Sequence, residues 1–273
     1  MGLFQKPPPG ADALESEAKP RKAELETLLA DLASGAEYQQ ALLPHALPQI
    51  PAYDFGVFFR GARKLSGDFY DFLPLDGGSL GIVVADASGK GIPASLLTMT
   101  CRAFFRAQPE PGASPARVVG NVNHMLSGNI KRGMFISVVY AHLNPSTHSM
   151  TLANAGHLPM VVWRSKARVA TIYPSKSPVL GILSKEAYEA QAQEETVPIG
   201  VGDRFLLITD GVNEAMAPGQ KEFGMEHLRK RLLADSDGSS ASFLKNVVEQ
   251  IDLHRGGGEQ SDDITLVTGR RLS

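Results

Sequence analysis

Val83-Val84-Ala85-Asp86-Ala87-Ser88-Gly89-Lys90-Gly91-Ile92-Pro93 runs from an apolar strand through a carboxylate and a glycine turn into a helix. Ile82 to Ala85 is uncharged and mostly β-branched, which predicts a buried strand with Asp86 at the point where the backbone leaves the sheet. A carboxylate there is held rigidly and still reaches solvent, the layout of a metal site on a sheet edge. Gly89 and Gly91 permit the sharp turn, Pro93 suits a first helical turn, and Ala94 to Ala107 predicts a mostly apolar helix. Taken alone, the stretch is more simply a strand, turn and helix with a capping aspartate. The rest of the chain decides otherwise.

Upstream, Tyr53 to Arg60 and Phe69 to Leu75 predict short strands, the second entered through Ser66-Gly67-Asp68. Downstream, Pro115 to Leu126 predicts a second helix. Phe135 to His142, Met150 to Asn154, Met160 to Arg164 and Val169 to Tyr173 then predict a meander with turns at Asn144-Pro145 and Ser165-Lys166. The polar, alanine-rich stretch from Ile182 to Thr196 fits a flap or a short helix. Asp203 to Thr209 predicts a buried strand ending at Asp210-Gly211, Met225 to Leu233 and Ala241 to Leu253 predict helices, and Ile264 to Gly269 a last strand.

The 273 residues are enough for one large domain with an appendage, and 43% hydrophobic with 21% charged residues is an ordinary globular composition. The division expected is 1–45 as a leader and amphipathic linker or dimerisation helix, and 46–273 as the catalytic domain. Met1 to Gly10, rich in proline and without a signal-peptide core, reads as a disordered leader of a cytoplasmic protein. From Arg21 the chain reads as helical, with Leu25, Leu28, Leu29 and Leu32 on one stripe that must be buried, against the domain itself or a second copy. Ser34-Gly35 weakens that helix, but Ala36 to Leu43 can resume it before Pro44. No apolar run is long enough for a membrane span. With 27 basic against 29 acidic residues and no basic block, nucleic acid is not an expected partner. Cys101, inside an apolar helix, reads as a buried thiol and not a nucleophile.

Asp86 and Asp210 each end an apolar strand, whereas Asp68 and Asp262 each precede one. In antiparallel sheets the end of one strand lies beside the start of its neighbour, so all four carboxylates can gather along one edge. Crowded carboxylates repel one another unless cations neutralise them. All-oxygen ligands point to Mg²⁺ or Mn²⁺ and not zinc, and two such ions can activate water and hold a phosphoryl oxygen.

Ser66-Gly67-Asp68-Phe69-Tyr70-Asp71, Asp86-Ala87-Ser88-Gly89-Lys90-Gly91, Asn154-Ala155-Gly156-His157, Thr209-Asp210-Gly211-Val212-Asn213-Glu214-Ala215 and Ser261-Asp262-Asp263-Ile264-Thr265 resemble, in order, the motifs of the stage II sporulation protein E type serine phosphatases. These form the bacterial branch of the metal-dependent, protein phosphatase 2C-like (PPM) superfamily. The resemblance runs from Gln40-Ala41-Leu42-Leu43-Pro44 to the C-terminus. It implies an α+β fold, a four-layer α-β-β-α sandwich of two antiparallel sheets flanked by helices, with two Mn²⁺ or Mg²⁺ ions at one end. Carried over by position, Asp86 bridges both ions, the Ala87 carbonyl adds a ligand, Asp210 and Asp262 complete one ion and Asp68 serves the other. Asp86 and Asp210 are the expected catalytic carboxylates, and Asp71 and Asp263 are weaker candidates, with Asp263 orienting a ligand. Ser66 replaces a glycine usual in the family, and no phosphate-binding arginine is assignable.

The activity implied is hydrolysis of phosphoserine or phosphothreonine on a regulatory partner of the anti-anti-sigma-factor type, by direct attack of a metal-bridging hydroxide. A non-catalytic signalling module on the same fold and a phosphatase of a small phosphorylated molecule are the alternatives. Gly89-Lys90-Gly91 is not a nucleotide-binding loop, because Val84 stands where that loop needs its first glycine and Gly91 where it needs Ser or Thr. His157 is either a general acid or, more simply, a turn histidine bonded to backbone, and Trp163 reads as core or rim packing.

Overall fold

The computed structural model describes the backbone of residues 11–107 and 112–273, with side chains from Arg21 onward. The leader expected at Met1 to Gly10 lies outside the described residues. Ten strands form two antiparallel sheets of five. One contains β2 (Asp68–Pro74), β3 (Leu80–Ala87), β4 (Ile136–Asn144), β5 (Ser149–Ala155) and β8 (Glu195–Pro198), hydrogen-bonded in that order. The other runs β1 (Tyr53–Arg60), β10 (Ile264–Arg271), β9 (Arg204–Ile208), β6 (Met160–Arg164), β7 (Val169–Tyr173). The α2 (Ile92–Arg106) and α3 (Pro115–Leu126) helices cover the first sheet, and α6 (Gly224–Asp235) with α7 (Ser240–Arg255) covers the second. The result is the four-layer α-β-β-α sandwich.

Strand β3 shows why the opening stretch is so apolar. It is sandwiched between α2 and the opposing sheet, so both of its faces are covered, and every residue of it except Asp86 is buried. Between the sheets, Phe55 of β1 meets Phe72 of β2 and Phe205 of β9 edge-on, at interplanar angles of 70° and 65°. On the outer faces, α3 begins at a Ser114 cap that accepts from the Arg117 N–H, and α7 ends at Gly256 in the left-handed region, which a glycine adopts without strain.

Two expectations need correcting. The helix expected from Arg21 is α1 (Ala11–Leu42), and it passes through Ser34-Gly35 without a break. Its C-terminal part is anchored by buried Ala36 and Gln39, which keeps the glycine helical despite its propensity, whereas Leu25, Leu28 and Leu29 are each more than half exposed. The expected single meander is divided: β4 and β5 belong to one sheet, β6 and β7 to the other. The chain changes sheets at Gly156, whose φ of 67° makes the corner and whose site leaves no room for a Cβ against Val179. The stretch from Ile182 to Thr196, expected as a flap or a short helix, holds the short helix α4 (Lys185–Glu189) and also the start of β8, whose alternating burial is too short to give a period from sequence.

Candidate metal centre

The register of β2 on β3 sets Asp68 directly opposite Asp86, and that of β3 on β4 sets Asp86 opposite Ser137. Cross-strand partners point to the same side of a sheet, here toward the opposing sheet. There Asp68 Oδ2 accepts hydrogen bonds from the hydroxyls of Thr209 and Thr265, each at 2.6 Å. Thr209 precedes the one-turn helix α5 (Asp210–Asn213), and Thr265 lies in β10, three residues past Asp262. These two bonds join the sheets at the acidic end. They bring Asp210 and Asp262 to the same end of the sandwich, where Asp86 feels the charge of both, although these residues are spread over the chain.

Period-two geometry also explains which aspartates do not join. Asp71 is three residues from Asp68 and so lies on the opposite face of β2. It is fully buried and takes both nitrogens of an Arg106 fork at 2.6 and 2.7 Å, with Arg102 at 3.0 Å, all from α2. Asp71 therefore fastens the helix that follows the Asp86 loop and does not face the cluster. Asp263 accepts from the Ala62 and Gly67 N–H groups, both at 2.7 Å, and orients the loop that leads into Asp68. That loop is gripped from other sides as well: Thr98 of α2 donates to the Gly67 carbonyl at 2.6 Å, and Gln39 of α1 exchanges two hydrogen bonds with the Ser66 backbone.

Two glycines line the close approach, and at one of them no side chain fits. A Cβ at Gly67 would stand 3.4 Å from the Ala87 carbonyl oxygen and 3.7 Å from Asp86 Oδ1, the two oxygens expected to face an ion. A Cβ at Gly211 would lie on top of the Asp263 carbonyl, so only glycine lets the Asp210 turn meet the start of β10.

The electrostatics are those of a carboxylate cluster. Burial, then repulsion from Asp210, Asp262 and Asp263, pushes Asp86 up to about 8, and a hydrogen bond from Asp68 offsets only part of this. Asp68 is held well above the usual carboxylate range by burial and by Asp86, and Asp210 is raised by burial and by Asp262. A divalent cation relieves the same repulsion that protonation relieves, and oxygen donors alone suit Mg²⁺ or Mn²⁺. The all-oxygen donor set thus fits the ions that the resemblance implies. Among the described residues, however, no group of three or more His, Cys, Asp or Glu side chains is set closely enough to hold a metal ion. Both oxygens of Asp262 are already engaged, Oδ1 by the Asp263 N–H at 2.9 Å and Oδ2 by the Lys90 ammonium at 2.6 Å.

His157 is buried at the sheet-changing turn, with Nδ1 2.8 Å from the Ser137 hydroxyl and its N–H donating to Asn154 Oδ1. Burial lowers it to about 4, so it is a neutral strut behind Asp86 and Ser137. Trp163 is core, with Arg168 over its ring, and Cys101 is a buried thiol pushed up by desolvation. Thr209, Thr265, Ser137 and Lys90 escaped sequence reasoning. The two threonines sat inside quoted motifs, but threonine is common in strands and gives no signal of its own.

The family profile described as stage II sporulation protein E (SpoIIE) matches residues 76–272. The chain belongs to that family. Asp68 lies just ahead of the matched segment, whereas Asp86, Asp210 and Asp262 lie within it. Among family relatives, phosphoserine phosphatase RsbU of Bacillus subtilis (strain 168) is 33% identical over 239 residues, covering 86% of this chain and 68% of RsbU. The SiaA-PP2C domain of Pseudomonas aeruginosa superposes with a TM-score of 0.77 at 20% identity, covering 91% of this chain and 98% of that domain. RsbX in complex with magnesium superposes with a TM-score of 0.61 at 17% identity, covering 84% and 99% of the two chains. The last two likenesses show the shared fold.

Proposed function

We propose that this SpoIIE-family protein is a Mn²⁺- or Mg²⁺-dependent protein-serine/threonine phosphatase acting on phosphoserine or phosphothreonine of a regulatory partner, of the anti-anti-sigma-factor type. The observation that carries the reading is the convergence of Asp68, Asp86, Asp210 and Asp262 from two sheets, with Asp68, Asp86 and Asp210 raised by burial and mutual repulsion. The name of its relative RsbU, a phosphoserine phosphatase, and the magnesium in RsbX support it.

In this reading Asp68, Asp86, Asp210, Asp262 and the Ala87 carbonyl would hold the ions. When bound, two ions supply a nucleophilic water at neutral pH and draw electrons from the phosphoryl oxygens. Thr209 and Thr265 fix the Asp68 carboxyl, and the Asp71–Arg106 fork and Thr98 hold α2 and the Gly67 loop in place. A cysteine nucleophile has no part, since Cys101 is buried in α2. Among the described residues no helix is long and apolar enough to cross a membrane, in keeping with a cytoplasmic partner-switching role. The exposed Leu25, Leu28 and Leu29 of α1 are the proposed seam of a homodimer.

The test is phosphate release from a phosphoserine-bearing anti-anti-sigma-type protein encoded in the same genome. Release faster than from a generic phosphopeptide supports the partner class. Equal rates remove it and leave a general phosphatase.

A further inference from the structure

Lys90 stands between two glycines with φ of 90° and 75°, and a Cβ at either glycine would meet open space. The glycines are therefore there for backbone shape, a doubly left-handed turn that lifts the side chain of Lys90 out of the Asp86 loop and across to the opposite sheet. Its ammonium lies 2.6 Å from Asp262 Oδ2 and 2.8 Å from the Ser261 carbonyl oxygen. Its charge also reaches Asp210 and Glu214, whose carboxyls it draws down against the crowding that raises them. With Asp262 Oδ1 accepting from the Asp263 N–H, each oxygen of Asp262 already has one partner while Lys90 is in place, and a further ligand on Oδ2 competes with the ammonium.

We propose that Lys90 is a tethered cation that occupies Asp262 before the divalent ion does, and that it turns to the substrate phosphoryl group once the ion takes that carboxylate. The proposal rests on the phosphatase reading above. An ammonium carries three donors on a flexible stem, so loss of one acceptor leaves it seeking another anion. The phosphoryl dianion is the anion that the reaction brings to this place. Lys90 thereby supplies the positive group for which the sequence offers no arginine. It also lowers the affinity for metal, because the ion must compete with an existing charge-assisted bond and with the positive charge of the ammonium beside it.

The two roles have opposite signs, and calorimetry on the purified protein reads both. Lys90→Met should bind Mn²⁺ about fivefold more tightly than wild type, the effect of removing a partly exposed ion pair worth roughly 1 kcal/mol. The same variant, loaded with Mn²⁺, should bind inorganic phosphate about fivefold more weakly, and Lys90→Arg should restore both values toward wild type. Unchanged Mn²⁺ affinity in Lys90→Met, or a loss of affinity for both ligands together, overturns the proposal while leaving the metal-dependent reading standing. Failure of the wild-type protein to bind Mn²⁺ at all overturns both.

Discussion

Asp68 and Asp86 face each other across β2 and β3 as direct register partners, and Asp68 is all but buried. Like charges at such a position destabilise a sheet, and burial with repulsion from its neighbours raises each carboxyl, so a proton or a cation relieves the pair. Asp86→Asn removes the charge without changing the shape. Its metal-free form should be more stable by roughly 1 kcal/mol, about 2–4 °C in melting temperature for a domain of this size. Calorimetric melting in the presence of a chelator checks this, and a lower melting point for the variant contradicts it.

The Asp71 fork makes the opposite prediction from the other face of the same strand. Asp71→Ala leaves Arg102, almost buried, without its counter-charge. Loss of one partner of a buried pair costs about 3–5 kcal/mol, to be seen as a lower urea midpoint. Because Asp71 faces away from the cluster, Mn²⁺ affinity of the folded variant should stay within about twofold of wild type, well under 1 kcal/mol. A parallel loss of metal binding would show that the fork shapes the site itself.

How much of this the sequence disclosed depended on how local the cause was. Asp86 and Asp210, at strand ends that run into a glycine turn, and Asp262, just before a strand, were legible because each cue is written in neighbouring residues. The separation of Asp68 from Asp71 was equally available from the period of two. What could not be read was pairing between distant segments: Lys90 reaching Ser261 and Asp262, or Gln39 gripping Ser66, depends on where α1 and two loops come to rest. The change of sheet at Gly156 was hidden for the same reason, since a corner and a hairpin use the same turn residues.

His157 gives the protein an acid limit. Its folded pKa, lowered by burial to about 4, lies below the unfolded value, so between these the unfolded chain binds the extra proton. Stability from this group is complete above about pH 6.5 and falls as pH drops toward 4, by about 3 kcal/mol in all. The stability difference between wild type and His157→Gln, followed by urea titration from pH 7 to 4, should shrink by that amount. A difference independent of pH would mean that the imidazole is not buried neutral.

The exposed stripe on α1 predicts association. Leu25→Glu with Leu29→Glu should shift sedimentation toward monomer, since paired leucines at this spacing are lost from the seam. A wild-type protein that sediments as a monomer at the same concentration would remove the dimer.

The central claim is that the Asp68, Asp86, Asp210 and Asp262 cluster does its chemistry only with divalent cations. The most direct measurement is phosphate release from a phosphoserine peptide by metal-stripped protein across a Mn²⁺ titration, for wild type and Asp86→Asn in parallel. The account predicts no release by wild type without metal, saturable release with Mn²⁺, and a loss of about 100-fold or more in the variant at every concentration. Wild-type release that persists in excess chelator, or near-normal turnover by Asp86→Asn at saturating Mn²⁺, would contradict it.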